Sequence, residues 1–191
     1  ELEYGDRILL VGHGMYQICT MKYLLGIDLE ALRQECDEAG RSMIPNGGIM
    51  VFTYEDGEYQ IQQVPVEPKN FEYKMEDKTV HLYYVRHGET LFNHYNRMQG
   101  RSDSPLTAQG IEQVKLSGKV LHNIDFAFAY CSSAERARDT AAYILETHDI
   151  SAIPNRDLRE IDFGTYEARV RDSIMDELYE RFNPRVDFSD V

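Results

Sequence analysis

Residues 83–90 read Tyr83-Tyr84-Val85-Arg86-His87-Gly88-Glu89-Thr90 and close an apolar run that starts at Val80. A run this rich in β-branched and aromatic residues predicts a buried strand. It ends, though, in an arginine and a histidine with a glycine directly behind them. Leu9-Leu10-Val11-Gly12-His13-Gly14 has the same grammar, an apolar strand that delivers His13 between two glycines. Arg86 offers a planar fork of donors suited to phosphate. His87 beside it can act as a nucleophile with positive charge nearby to hold an anion, and Gly88 lets backbone approach a bound oxyanion closely.

Outward from these two stretches, strands alternate with helices. Residues 7–12 predict a short buried strand, and 15–25 a helix that stops at Gly26. Asp28 caps a second helix to about Glu38, and Pro45-Asn46-Gly47-Gly48 is a turn. Glu55-Asp56-Gly57, between two alternating runs, signals a hairpin. Residues 65–78 carry two prolines and many charges and predict a linker. After the 79–85 strand, Thr107 caps a helix to about His122. Residues 125–131 predict a strand and 134–147 a helix; 158–168 are irregular, and a charged helix is expected over 170–182. The pattern predicts an α/β fold, a mostly parallel central sheet flanked by helices, in one domain spanning 1–191. Ligands in such sheets lie at the carboxyl ends of strands, where Arg86, His87 and His13 fall.

The chain has 191 residues and a formal net charge of −13. That charge argues against nucleic acid or an anionic membrane as a partner for the surface as a whole, while a locally cationic pocket can still take a small anion. Three scattered cysteines, Cys19, Cys36 and Cys131, suit reduced thiols better than a disulfide framework. No apolar stretch approaches the ~20 residues needed to span a bilayer, and the N-terminus lacks a signal-peptide pattern. A cytoplasmic location is expected. No His/Cys/acid spacing reads as a metal site, and Gly12-His13-Gly14-Met15-Tyr16 lacks the serine of a hydrolase elbow. Neither cofactor nor metal is expected.

The stretches RHGETLFNHYNRMQGRSDSPLTAQG (86–110), YCSSAERARDTA (130–141), LREIDFGTYE (158–167) and VGHG (11–14) together resemble the histidine phosphatase superfamily, the phosphoglycerate-mutase-like group named for its RHG motif. The resemblance implies that His87 accepts the phosphoryl group and that Arg86 binds phosphate beside it. It implies phosphate-binding roles for Asn93 and for Arg136 at the start of the helix after the second strand, and Gly14 is counted with them. Glu160 matches the acid that protonates the leaving group, and His13 the second histidine at the transferring phosphoryl. Glu89 belongs to the motif without taking the proton-transfer role. Glu135, Arg138 and Asp162 are read as surface neighbours, and His81, His94, His122 and His148 as structural or solvated.

In that family the RHG strand comes first and the second histidine near the end; here the order is reversed. The chain is read as circularly permuted, with 1–64 as the family's C-terminal part and 79–191 as its N-terminal part. A junction of two tandem copies is the next reading. A further helix usual in the family, before the second-histidine strand, is not found, so a domain-swapped homodimer is the alternative to a complete monomer. The order requires that His13 and His87 meet at one anion on neighbouring parallel strands. Ala168 stands where the family commonly has glycine. The implied activity is a metal-independent phosphatase for small phosphorylated metabolites, working through a phosphohistidine. Thr90 and Met15-Tyr16 depart from the serine and the Asn-Ser pair of the mutases, which makes phosphoglycerate mutase the second choice. A catalytically weak phosphate-binding or scaffold module is the reading of another class.

Overall fold

The computed structural model describes residues 6–72, 79–174 and Glu177. Six strands form one sheet: β1 (Arg7–Gly12), β2 (Ile49–Glu55), β3 (Glu58–Val66), β4 (Val80–Arg86), β5 (Phe128–Ser132) and β6 (Ile153–Asn155). Their spatial order is β3-β2-β4-β1-β5-β6. β4, β1, β5 and β6 are successive parallel neighbours, while β2 lies antiparallel between β4 and β3. Among the described residues the α-helices are α1 (Gly14–Cys19), α2 (Leu29–Glu38), α3 (Leu91–His94), α4 (Ala108–Leu121) and α5 (Glu135–Ile144), with short 3-10 and π turns besides. This is the α/β sandwich the sequence predicts.

Alternation along the central strands builds the three layers, because successive side chains leave a strand on opposite faces. Tyr83 and Val85 join Leu9, Val11 and Val51 in one core, against Leu121 of α4 and Ala137, Ala141 and Ile144 of α5. Tyr84 faces the other way, with Met50 and Phe52, against Met21, Leu32 and Cys36. The near-continuous apolar text of β1 and β4 therefore reflects burial on both faces. A third, smaller cluster of Met98, Phe163 and Ile174 ties the irregular 158–174 region to the loop after α3.

The caps follow the sequence. Asp28 accepts from the amides of Glu30 and Ala31 at the start of α2, and Thr107 accepts from Gly110 at the start of α4. At the hairpin tip Asp56 and Gly57 both have positive φ, 51° and 92°, the arrangement a two-residue turn between twisted strands needs.

Several boundaries differ from expectation. The single helix expected over 15–25 is α1 followed by a π-helical turn, Thr20–Leu24. The Thr20 hydroxyl bonds back to the Tyr16 carbonyl at 2.9 Å, and the Leu25 amide reaches the Thr20 carbonyl at 3.1 Å, five residues back. The strand expected from 125 starts at Phe128, because Phe126 turns into the core beside Tyr83. The expected 65–78 linker is packed at its start: Pro65 and Val66 belong to β3, Pro68 is buried and Phe71 lies on the core. Its remainder, 73–78, lies outside the described residues. The helix expected from Val170 begins instead as a 3-10 turn, Arg171–Ser173. Val170 bridges to Arg97, and the Arg171 amide donates to the Asn96 carbonyl. The rest of the expected helix, Glu177 apart, lies outside the described residues.

Ala168 holds φ at 63°, a region where a Cβ crowds the following carbonyl. Its amide donates to Met98 O at 2.8 Å and its carbonyl accepts from the Arg97 guanidinium, so the conformation is fixed from both sides. Ala168→Gly is expected to stabilise the fold by about 1 kcal/mol, seen as a higher midpoint in thermal or urea unfolding.

Candidate active site

Two parallel strands carry the site. β1 and β4 are paired so that Gly12 lies opposite Arg86, and His13 and His87 follow directly. The His87 amide donates to the Gly12 carbonyl at 2.9 Å, extending the ladder by one step. The two imidazoles stand edge to face, ring centroids 5.4 Å apart, within one chain. Both are buried.

Hydrogen-bond partners assign the tautomers. His87 Nδ1 lies 2.8 Å from the Gly88 carbonyl, which only accepts, so Nδ1 carries the proton and Nε2 keeps its lone pair. The Arg136 guanidinium, a donor only, lies 3.1 Å from His13 Nδ1. His13 Nε2 therefore holds the proton and donates to Ser132 Oγ at 2.7 Å. Burial, then the charges of Arg136 and Arg86, push the His13 pKa down to about 2. The same causes, in the same order, with His13 added, hold His87 well below the ordinary imidazole range. Both rings are neutral near neutral pH.

Arg86 donates to the Ile44 carbonyl, and burial followed by the Arg171 charge lowers its pKa to about 10, which leaves it a cation. Arg136, at the start of α5, is 1% exposed. Its fork donates to Asp103 Oδ1 at 2.9 Å, to Ser102 O at 3.0 Å and to Gly100 O at 2.8 Å, besides His13. The position expected to bind phosphate is thus occupied in holding the 100–103 loop and the His13 ring, with Nε as its remaining donor. The buried Nε atoms of Arg86, Arg136 and Arg171 have no hydrogen-bond partner among the described residues. A buried donor left unpaired costs free energy that a bound acceptor would offset.

Glu160 is half-buried, with Oε2 accepting from the Met15 amide at 3.2 Å and Oε1 from the Ile161 amide at 3.1 Å. Burial raises its pKa, against the lowering effect of those amides, Arg136 and Arg86. Gly14 is buried beside Arg86; a Cβ there would lie 3.2 Å from Arg86 Nε. Asn93 accepts on Oδ1 from the Thr90 amide at 3.1 Å, closing a capping box at α3 and leaving its amide NH2 group as a donor.

Some signature residues serve the frame. Glu89 accepts from the Thr107 hydroxyl at 2.7 Å, holding the start of α4. The absent side chain of Gly88 is explained by packing, not by an anion: a Cβ there would lie 2.6 Å from the Gly110 carbonyl, and its amide donates to Thr140. Glu135 and Arg138 are exposed, and Asp162 pairs with Arg101 at the surface. His81 is buried away from the site, and His94, His122 and His148 stand elsewhere. Sequence reasoning missed Arg171, a half-buried cation in electrostatic reach of both Arg86 and Glu160. It lies in a charge-rich stretch where no spacing marks it. Ser132 and Asp103 lie within quoted motifs, yet only the fold shows that one holds His13 and the other Arg136. Among the described residues no three His, Cys, Asp or Glu side chains are grouped to hold a metal ion.

A site of this kind, two neutral histidines and a carboxyl among arginines, is suited to moving a phosphoryl group. Residues 82–189 match the histidine phosphatase superfamily (branch 1), and the chain belongs to that family. His13 lies outside the matched residues. The chain is 43% identical over 96 residues to a Klebsiella pneumoniae (strain 342) protein named "Probable phosphoglycerate mutase GpmB", covering 50% of this chain and 45% of that one. It thus spans about half the length of the curated relatives it matches. Among solved structures, a phosphoglycerate mutase from Bacillus anthracis str. Sterne is 35% identical with a TM-score of 0.48, over 51% of this chain and 44% of that one. A phosphoserine phosphatase from Entamoeba histolytica is 33% identical with a TM-score of 0.46, over 51% and 48%.

Glu167 connects this region to the 100–103 loop. It accepts from the amides of Arg101, Ser102 and Phe163 and from the Ser102 hydroxyl. Burial pushes its pKa up, but these four hydrogen bonds outweigh it and hold the carboxyl below its ordinary value of 4.5. A depressed carboxyl contributes stability above its unfolded pKa and loses it as the pH falls through the folded one. The gap in melting temperature between wild type and Glu167→Gln should therefore be full at pH 7 and close progressively below about pH 4.5, as read by calorimetry across that range.

Proposed function

We propose that the protein is a phosphatase that hydrolyses small phosphorylated metabolites through a phosphohistidine on His87. One observation carries this reading: of the two adjoining imidazoles, only His87 has a ring nitrogen whose lone pair is not already committed. His13 Nδ1 accepts from Arg136 and its Nε2 bears the proton given to Ser132. His87 Nε2 attacks phosphorus and the bond from phosphorus to the ester oxygen breaks. Glu160, kept protonated into a higher pH range by burial, gives its proton to the departing alkoxide. In the second half Glu160, now a carboxylate, takes a proton from water as that water attacks the phosphohistidine, which restores both groups. Arg86, the Nε–H of Arg136, the Asn93 amide and the Gly14 backbone surround the transferring group. Arg171 adds positive charge, and the His13 ring, held by Arg136 and Ser132, forms the wall beside His87. Phosphoryl transfer gains most from such fixed charge and positioning.

The relatives named phosphoglycerate mutase supply the second reading, in which the phosphohistidine returns its phosphoryl group to a second hydroxyl. Conversion of 3-phosphoglycerate to 2-phosphoglycerate faster than its hydrolysis would select it. We further propose a circular permutation as the origin of the chain order, in one domain where residues 7–66 supply the His13 strand. The meeting of both histidines within one chain supports this. A rearranged chain with 79–191 ahead of 7–66 should then keep the same activity. A cytoplasmic setting is inferred from three cysteines that are all free. Among the described residues no helix is long and apolar enough to cross a membrane.

His87→Ala should remove turnover of an aryl phosphate and the acid-labile phosphoenzyme while the circular dichroism spectrum is retained. Turnover comparable to wild type would remove His87 as nucleophile. Activity should also survive exhaustive chelation and be inhibited by vanadate; loss on chelation with recovery on adding a divalent metal would point to a metallohydrolase.

The pH profile has a sign fixed by the two groups. Protonated Glu160 is needed for the first step, so kcat/KM should fall as pH rises through its elevated pKa, and Glu160→Gln should lose that limb together with most activity. His87 is already neutral far below pH 6.5, so no acid limb near that value should appear. Rate measurements between pH 4.5 and 8.5 check both limbs.

A further inference from the structure

Tyr84 lies two residues before Arg86 and is 1% exposed. Its hydroxyl reaches the backbone of His13. It accepts from the His13 amide at 2.9 Å and donates to the His13 carbonyl, 3.3 Å away. A phenol is one of the few side chains that can do both with one atom. The space for that hydroxyl comes from Gly12: a Cβ there would lie 2.0 Å from Tyr84 Oη and 2.8 Å from Cζ. The ring itself is held from the side by Tyr16, stacked at 5.9 Å and 12°.

We infer that Tyr84, seated in the notch left by Gly12, is a positioning residue that clamps the His13 backbone and so sets where the His13 imidazole meets the transferring phosphoryl group. His13 is the joint between β1 and α1. It is extended, with φ −125° and ψ 162°, and its carbonyl also accepts the first helical bond, from the Gln17 amide at 3.0 Å. Without the Tyr84 hydroxyl its amide would have no such acceptor, and the peptide would be free to rotate about that joint. The ring would then shift relative to His87, although Arg136 and Ser132 still hold its nitrogens. A displacement of about 1 Å is enough to weaken a site that depends on preset geometry. Gly12 and Tyr84 thus form one device drawn from two neighbouring strands. The catalytic consequence rests on the phosphoryl-transfer reading given above; the clamp on the backbone does not.

The test uses the whole chain with Tyr84→Phe, Gly12→Ala and the two combined. Three quantities are read: turnover of an aryl phosphate, vanadate affinity by titration calorimetry, and exchange of the His13 amide by NMR. Tyr84→Phe is expected to weaken vanadate binding and lower kcat, each about tenfold, with KM little changed and the His13 amide exchanging faster. Gly12→Ala removes no hydrogen-bonding group, yet should cost as much by driving the hydroxyl away. It should cost clearly less when Phe replaces Tyr84, because the closest collision is then gone; additive losses would mean that the hydroxyl does not occupy the Gly12 notch. Wild-type vanadate affinity and kcat in Tyr84→Phe, or additive losses, would overturn the inference. Should wild type neither turn over phosphate esters nor bind vanadate, the phosphoryl reading fails, while the His13 amide still decides the clamp. Unchanged protection in Tyr84→Phe overturns it, and faster exchange upholds it. If Tyr84→Phe does not fold, the His13 amide of wild type and of Gly12→Ala decides: strong protection in the first and its loss in the second uphold the clamp, and weak protection in wild type overturns it.

Discussion

The parallel pairing of β1 with β4 is the constraint on which the site depends, because it carries two histidines from distant parts of the chain to one height above the sheet. Residues in register on parallel neighbours point to the same face, and a slip of one residue would send every side chain to the opposite face. Such a slip is blocked on both sides. Leu9, Val11, Tyr83 and Val85 fill the core under α4 and α5, while Tyr84 packs among Met50, Phe52 and Met21 on the other face. Any shift would exchange the two rows and misfit both cores. The geometry of the two histidines is a by-product of core packing, and the His87-to-Gly12 backbone bond carries the register past the last strand residue.

Electrostatics at the site runs against the protein's net charge of −13. Three arginines crowd around a half-buried carboxyl and two histidines, and desolvation decides how each responds. Burial disfavours charge on every group, so the imidazoles, whose ordinary pKa is close to neutral, give up their protons. The guanidiniums start so high that even the loss at Arg86 leaves it charged. One environment therefore keeps both imidazoles neutral, leaves Arg86 a cation and raises the range over which Glu160 holds its proton. Acidic residues elsewhere on the surface do not cancel this, since solvent screens charges beyond about 8–10 Å.

The fold class and most elements were legible because apolar alternation, the Asp28 and Thr107 caps and the Asp56-Gly57 turn are local signals that the chain obeys. The positions of His13 and His87 were legible from a repeated strand-glycine grammar. What escaped is non-local. Nothing near Thr20 announces a π-helical turn, which depends on a hydroxyl bonding backward. Arg171 looks like any surface arginine until the Arg97–Val170 bridge folds it toward Glu160. Gly88 carried a plausible anion role in sequence, but the approach of Gly110 from another element accounts for it. Arg136 likewise has a role in the frame that no spacing reveals.

That role explains why the loop and the 158–174 region belong to the site. A buried guanidinium is tolerable only with its donors engaged, and Arg136 finds Asp103 together with the carbonyls of Gly100 and Ser102. The same loop presents its amides to Glu167, so two charges of opposite sign hold it from either end. Arg136 then gives its fourth contact to His13 Nδ1, which obliges that ring to carry its proton on Nε2. The carboxylate of Glu167 and the tautomer of His13 are in this way joined through a short chain of hydrogen bonds. If the loop moves, Arg136 loses acceptors before it loses charge, and the imidazole loses the donor that fixes its proton. The order within the site therefore descends from the 158–174 region inward, with His87, whose proton is fixed by its own bond to the Gly88 carbonyl, as the one ring that stands apart from it.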